Sequence, residues 1–165
     1  MGDLAYWPAA KPLSKKNTFA KNRDFIKNLD HIDQIWEKLK FKCGDTLAVC
    51  DLRGKYKEKF SYSELADLIT KVSFSFENYG LKKGDVVTVI SENSPRWLAV
   101  DQGLMRLGAI NAVRGINSPS VELDYIIGHS NSVGLIVQSK EIWLKLNNKE
   151  ELKKRLKFII NLEDE

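Results

Sequence analysis

The stretch that decides the fold is residues 86–130, VVTVISENSPRWLAVDQGLMRLGAINAVRGINSPSVELDYIIGHS. It begins with an apolar run rich in β-branched residues, which favours a strand. Ser94 and Pro95 are typical of a helix start, and Gly108 is typical of a helix end. A second short apolar run and a second Ser-Pro pair follow Gly108. The stretch therefore predicts two consecutive strand–helix units.

The sequence on both sides continues this alternation. Upstream, Ser61 and Glu64 match a capping box, in which each side chain satisfies a backbone N–H at a helix start. Gly80 can end that helix in the left-handed conformation. Downstream, two strands and two helices are predicted: strands at 135–137 and 158–160, and helices at 141–146 and 150–156.

Alternating strands and helices build a parallel sheet that is covered on both faces. We therefore predict an α/β fold, with a doubly wound, mostly parallel sheet and helices on both faces in a three-layer sandwich. The segments at 86–90, 109–113 and 135–137 should be neighbouring parallel strands. Apolar runs at 46–51 and 56–60 flank an Arg-Gly turn and add a hairpin at one edge of the sheet.

The amino-terminal part is organised differently. Residues 1–23 contain Pro8, Pro12 and scattered lysines without periodicity, which predicts an irregular basic arm. A helix is predicted over 24–40 from one apolar stripe, Phe25, Leu29, Ile32, Trp36 and Leu39. We divide the chain into this arm at 1–23 and one α/β unit at 24–165.

The charge distribution restricts the partners. The net charge is +4, and residues 1–27 carry six basic against two acidic side chains. The rest of the chain balances at 20 basic and 20 acidic side chains, so we expect no nucleic-acid-binding face on the folded part. The arm is interpreted as a solvated lead-in, with weak attraction to anionic lipid as the alternative.

Location and redox state follow from the same composition. The sequence has neither a run of about 20 apolar residues that could cross a bilayer nor the apolar core of a secretory signal. We expect a cytoplasmic protein whose membrane contact is at most peripheral. Cys43 and Cys50 have no His or Cys at ligand spacing, so we expect reduced structural thiols and no metal site.

Several motifs occur together in a familiar order. FSYSEL at 60–65 is followed by KKGDVV at 82–87, ENSPRW at 92–97 and LGA at 107–109. In this order they resemble the amino-terminal region of AMP-forming acyl-CoA and acyl-carrier-protein synthetases, in the adenylate-forming ligase superfamily. The Val-Arg-Gly at 113–115 is similar to the form found in bacterial acyl-carrier-protein synthetases.

This resemblance implies a reaction for the complete enzyme. A fatty carboxylate attacks the α-phosphorus of ATP, pyrophosphate leaves with Mg²⁺, and the acyl group passes from AMP to the thiol of coenzyme A or a carrier protein. The family's Gly/Ser/Thr-rich phosphate loop does not occur in the 165 residues. We therefore expect residues 24–165 to be the amino-terminal subdomain of a ligase, truncated before the phosphate loop and inactive alone, with ATP and Mg²⁺ needed only by the complete enzyme.

Two functional hypotheses remain open. In the first, the chain joins the remainder of a long-chain fatty acid ligase, which takes a fatty acid and either coenzyme A or acyl carrier protein. In the second, it is a non-catalytic α/β module that binds a partner protein through its sheet edge and apolar surface. We assign no catalytic, cofactor-binding or metal-ligating residue under either hypothesis.

One loop is a candidate ligand site. Residues 114–118 leave a strand and enter a helix, which is where open α/β sheets bind ligands. The favoured interpretation is structural: Gly115 turns the chain, Ser118 caps the helix, Pro119 starts it, and Arg114 pairs with a nearby carboxylate. His129 is expected at a helix end, and His31 on a solvated surface.

Overall fold

The computed structural model describes residues 29–52 and 57–163. A short 3-10 turn, Ile32–Gln34, precedes the regular elements. The helices are α1 Ile35–Cys43, α2 Tyr62–Asn78, α3 Pro95–Arg106, α4 Ser120–His129, α5 Lys140–Lys145 and α6 Lys149–Arg155. The strands are β1 Leu47–Cys50, β2 Lys59–Ser61, β3 Val86–Ile90, β4 Ile110–Arg114, β5 Gly134–Val137 and β6 Phe158–Asn161.

Strands β3 to β6 form one sheet in the order β4-β3-β5-β6. Every neighbouring pair is parallel, with Thr88 opposite Ala112 in β4 and Leu135 in β5. The prediction that β3, β4 and β5 are neighbouring parallel strands is confirmed. The two helices predicted between β5 and β6 are also present, each displaced by one residue.

The central strands are buried on both faces, which explains their continuous apolar sequences. Successive residues of β3 and β5 contribute to opposite cores. The α2–α3 core contains Phe76, Leu81, Val87, Val89, Val100, Leu104, Ile136 and Phe158. The α4–α6 core contains Ile90, Leu123, Ile127, Leu135, Val137, Ile142, Leu146, Leu152 and Leu156. The predicted three-layer, doubly wound fold is therefore confirmed.

The predicted hairpin is present, but its predicted place at one edge of the main sheet was wrong, because it forms a sheet of its own. Strands β1 and β2 pair antiparallel, while no backbone ladder joins them to β3–β6 in the described part of the chain. The hairpin packs through Val49 and Phe60 against Leu65 and Ile69 of α2. Helices α2 and α3 therefore separate the hairpin from the four-stranded sheet. The predicted Arg-Gly turn lies outside the described residues.

Two of the three helix starts predicted from capping residues have the predicted caps. Ser61 and Glu64 form both bonds of the predicted capping box, and the Ser94 hydroxyl accepts the N–H of Trp97 at the start of α3. The expectation for α4 was wrong: Pro119 occupies the N-cap, and no side chain caps that helix. The 118–119 pair therefore starts the helix through the fixed backbone of proline.

The first helix begins later than predicted. Residues 29–31 are not helical, and α1 begins only at Ile35 after the 3-10 turn. The backbone N–H of Asp30 donates to the side chain of Gln34 at 3.1 Å, a bond of the kind that satisfies a free N–H at a helix start. Ile32, part of the predicted stripe, is exposed. Residues 24–28 lie outside the described part of the chain.

A chain of hydroxyl groups is buried beside β3. Thr88 is fully buried, and its hydroxyl lies 2.7 Å from that of Ser132. Ser132 is in turn 2.7 Å from the hydroxyl of Ser130. Each hydroxyl therefore has a partner, which offsets the cost of burying it. No helix among the described residues is long and apolar enough to cross a membrane.

Two glycines inside helices should respond in opposite directions to alanine. A Cβ at Gly103 would lie 2.9 Å from Cγ1 of Val72, so Gly103→Ala should lower the free energy of unfolding by about 1–3 kcal/mol. A Cβ at Gly128 would meet nothing within 4 Å, and Gly128→Ala should raise the free energy of unfolding by about 0.5–1 kcal/mol. Urea titration measures both, and changes of the same sign would contradict this account.

A pH-dependent ion pair joins the start of β3 to the start of β6. Lys157 Nζ donates to Asp85 Oδ2 at 2.7 Å and to the carbonyl of Gly80 at 2.8 Å. The bond from Lys157, followed by the backbone N–H of Lys82, lowers the pKa of Asp85 from its ordinary 3.8. A lowered pKa means that the carboxylate stabilises the fold above the ordinary value, and that this stabilisation is lost as pH falls through the folded value.

Asp85→Asn should therefore cost about 1 kcal/mol of folding free energy at pH 7 and nearly nothing in strong acid. Urea titrations of the two proteins at pH 7, 4 and 2.5 measure the difference. The curves should converge as pH falls. An equal difference at all three values would contradict a role for the charge.

Candidate functional site

The topology produces a crevice at the carboxyl ends of β3 and β5. From β3 the chain continues into α3, which belongs to the α2–α3 core, whereas from β5 it continues into α5 of the α4–α6 core. Adjacent strands whose connections leave on opposite faces mark the switch point of an open α/β sheet. Ligands bind at this position in doubly wound proteins.

A cleft of about 640 Å³ lies at this point, and we call it the switch-point cleft. It lies between the hairpin on one side and the loops that follow β3, β5 and β6 on the other. Its wall includes Val49, Trp97 and Leu98, which are apolar. Its polar lining includes Cys50, Glu58, Ser94, Arg96, Gln138 and Glu163.

Arg96 connects three segments around the cleft. Its Nε donates to Glu58 Oε1 of the segment before β2 at 2.8 Å, and its Nη1 donates to the carbonyl of Leu162 after β6 at 2.5 Å. The Arg96 and Glu58 side chains are 28% and 18% exposed. A guanidinium suits this arrangement because its nitrogens point in fixed, different directions.

Gln138 makes a second set of connections at the end of β5. Its side-chain oxygen accepts the backbone N–H of Glu92 at 2.9 Å, and its side-chain nitrogen donates to Glu163 Oε1 at 3.1 Å. Its backbone carbonyl also accepts the N–H of Glu163 at 3.1 Å. Gln138 thus fixes the loop after β3 and the segment after β6 at the same edge of the sheet.

The charges of the cleft do not suit a polyphosphate. The lining carries four carboxylates and two cations: Asp51, Glu58, Glu92 and Glu163 against Lys57 and Arg96. An excess of negative charge repels phosphate groups. The start of α3 offers few backbone donors, because Pro95 has no N–H and that of Trp97 is bound by Ser94. The residues described therefore do not fit ATP.

Metal ligands are not assembled either. Within 29–52 and 57–163, no group of three or more His, Cys, Asp or Glu side chains could hold a metal ion. Cys43 and Cys50 are free thiols, as expected, and Cys43 Sγ donates to the carbonyl of Leu39 at 3.3 Å. His129 lies in the last turn of α4, where its ring stacks on Tyr125 with a centroid distance of 5.1 Å.

In the loop at 114–118, the expected pairing of Arg114 with a carboxylate is confirmed, whereas the expected Ser118 cap is absent. Arg114 Nε pairs with Glu122 Oε1 at 3.1 Å. Lys145 Nζ donates to the carbonyls of Ile116 and Ser118 at 3.0 and 3.1 Å. The loop thus presents acceptors to a lysine of α5, and its arginine already has a carboxylate partner.

Sequence reasoning did not single out Arg96 or Gln138. Gln138 directly follows a predicted strand, and Arg96 lies in the first turn of a predicted helix. Such positions are a usable signal for a binding site in an α/β fold. The order of the strands decides which of these positions meet at a switch point, and that order depends on contacts between distant segments. Arg96 and Leu162, for example, are 66 residues apart.

The chain belongs to the AMP-binding enzyme family, whose sequence profile matches residues 36–165. It is 34% identical over 131 residues to the probable acyl-activating enzyme 16, chloroplastic, of Arabidopsis thaliana, covering 79% of this chain and 18% of that protein. A chloroplastic long-chain-fatty-acid–[acyl-carrier-protein] ligase of Arabidopsis thaliana is 33% identical, with the same coverage. The chain thus spans about a fifth of the length of these relatives.

The fold matches solved structures of similar proteins. A fatty acyl CoA synthetase of Mycobacterium tuberculosis superimposes with a TM-score of 0.70 at 16% identity, covering 79% of this chain and 26% of that one. At this identity the likeness concerns the fold alone. It agrees with the parallel sheet and two layers of helices described above.

Proposed function

We propose that the chain is the amino-terminal subdomain of an AMP-forming long-chain fatty acid ligase. The observation that carries the proposal is the 33% identity to a chloroplastic long-chain fatty acid ligase over 131 residues, 79% of this chain. The complete enzyme would convert a fatty acid to an acyl adenylate and then to a thioester. It would require ATP and Mg²⁺, with coenzyme A or acyl carrier protein as the acceptor.

In this proposal the chain supplies a scaffold and no reacting group. The switch-point cleft is too acidic for a polyphosphate, and no three-carboxylate metal set lies in the described ranges. The groups that hold ATP and Mg²⁺ would come from the remainder of the ligase. The 165-residue chain alone is accordingly inactive, and residues 24–165 pack against that remainder.

A chimera tests the proposed function directly. Residues 36–165 would replace the matching segment of the Arabidopsis long-chain-fatty-acid–[acyl-carrier-protein] ligase. We expect ligation of a long-chain fatty acid, measured as pyrophosphate release and as thioester formation with acyl carrier protein and with coenzyme A in parallel. A chimera carrying Gly134→Val, which disrupts the sheet, is the control and should be inactive.

The isolated chain provides the complementary measurement. Calorimetry with ATP and Mg²⁺ should show binding no tighter than about 1 mM, since few contacts would offset the entropy lost on association. Pyrophosphate release with a long-chain fatty acid should be undetectable. Turnover by the isolated chain would contradict the scaffold role. A folded but inactive chimera would favour the alternative, a non-catalytic module that binds a partner protein.

The location is part of the same proposal. We place the protein in the cytoplasm, with at most peripheral membrane contact. Cell fractionation followed by a salt wash tests this, because peripheral electrostatic attachment is released by salt. Retention in the membrane fraction after the wash would contradict it.

A further inference from the structure

We infer that Arg96 is a positioning residue, which sets both the position of the hairpin and the path of the chain as it leaves β6. The structural half of this inference concerns contacts within the 165-residue chain. Its catalytic consequence rests on the proposed ligase function, in which the chain beyond Glu163 leads to the nucleotide-binding groups.

The hairpin is attached to the rest of the fold by two kinds of contact. Because β1 and β2 share no ladder with β3–β6, the hairpin is held by apolar packing on α2 and by polar contacts at its end. Apolar packing is non-directional, whereas a charge-assisted hydrogen bond fixes a distance and an angle. The bond from Arg96 Nε to Glu58 supplies that directional contact. The carbonyl of Glu58 also accepts the N–H of Asp51 at 2.8 Å, so Glu58 connects both strands.

The segment after β6 is hydrogen-bonded on both of its sides. On its β5 side, Leu162 N–H donates to the carbonyl of Val137 at 2.9 Å, and Glu163 N–H donates to that of Gln138. On its other side, Arg96 Nη1 donates to the carbonyl of Leu162. The Leu162 peptide is therefore held from two directions, which fixes the position of the chain at Leu162.

The backbone of Arg96 is itself held firmly in place. It lies in the first turn of α3, a 12-residue helix capped by Ser94 and packed on both α2 and the sheet. Two different nitrogens of one planar guanidinium bind the hairpin and residues 162–163 after β6, which we call the exit segment. A lysine can donate to two acceptors from its one nitrogen, as Lys157 does, but it cannot place donors at the two separate positions that Nε and Nη1 of Arg96 occupy.

Amide hydrogen exchange on the 165-residue chain tests the structural half. The reporting amides are Asp51 for the hairpin and Leu162 and Glu163 for the exit segment. Arg96→Lys should accelerate exchange at all three by about tenfold or more, because local opening becomes easier. Arg106→Lys is the matched control: Arg106 is on the same helix with a similar exposure of 30%, and it contacts Glu37 at 3.7 Å. It should change these rates less than about twofold.

A second variant tests the contact of Arg96 with Glu58 separately from its contact with the Leu162 carbonyl. It also distinguishes a local effect from general unfolding. Glu58→Gln removes the charged partner in the hairpin but leaves the bond to the Leu162 carbonyl. It should accelerate exchange at Asp51 and leave Leu162 and Glu163 unchanged. Acceleration of all amides by Glu58→Gln, or of none by Arg96→Lys, would overturn the inference.

The active chimera tests the catalytic consequence. Arg96→Lys should lower kcat for pyrophosphate release by about tenfold while KM for the fatty acid and the melting temperature stay unchanged, because positioning acts on the assembled site. An unchanged kcat would contradict the inferred effect of Arg96 on catalysis. If the parent chimera is inactive, the proposed function fails, while the exchange pattern still decides whether Arg96 positions the two segments.

Discussion

Gly134→Ala should lower the free energy of unfolding by about 2–3 kcal/mol, although it adds a single methyl group. Gly134 pairs with Phe158 in the register of β5 and β6. A Cβ at this position would lie 2.4 Å from Cζ and 2.6 Å from Cε2 of the Phe158 ring. The ring cannot withdraw easily, because it stacks on Phe76 at 5.6 Å and also contacts Tyr79 at 5.4 Å.

Urea titration of the purified variant measures the effect. Phe158→Leu provides the control, since it shortens the side chain that the new methyl group would meet. The double variant should be more stable than the sum of the two single effects predicts, because the second change creates space for the first. A loss below about 0.5 kcal/mol for Gly134→Ala would show that the ring moves freely.

Leu135→Ala should have an equal or larger effect, about 2–5 kcal/mol. Leu135 is fully buried in the central strand β5, where it packs in the α4–α6 core. Its truncation removes apolar contacts and leaves a cavity that close-packed helices on one side and a sheet on the other cannot refill.

The same substitution elsewhere gives a matched comparison. Leu144 lies in α5 with 57% of its surface exposed, so Leu144→Ala should change stability by at most about 0.5 kcal/mol. Both variants lose the same three carbon atoms. Equal effects from urea titration would mean that the burial of β5 does not control stability.

Much of the fold could be predicted because its signals are local. The capping box at Ser61, the Ser-Pro start of α3 and the left-handed glycines at 80 and 108 all act within a few residues. Apolar runs without alternation indicated strands buried on both faces. The start of the helix predicted over 24–40 was wrong for residues 29–31, because an apolar period does not by itself fix the residue at which a helix begins.

The candidate site could not be predicted in the same way. The switch-point cleft depends on strand order and on how the hairpin packs, and both arise from contacts between distant parts of the sequence. Glu58, Arg96 and Leu162 show no spacing that connects them, yet one guanidinium joins all three. The loop at 114–118 was visible from sequence because its residues are adjacent, and its partners turned out to be structural.

The buried hydroxyls beside β3 have a consequence for folding fidelity. In the native register, Thr88 meets Ser132 on the α4–α6 side, while Val87 and Val89 lie in the α2–α3 core. A slip of β3 by one residue would turn every side chain to the opposite face. The Thr88 hydroxyl would then be buried beside Phe76 and Phe158 without Ser132, at a cost of about 1–3 kcal/mol. The valines and the isoleucine of β3 could be buried on either face. The Thr88 hydroxyl is the group that makes the slipped register less stable than the native one.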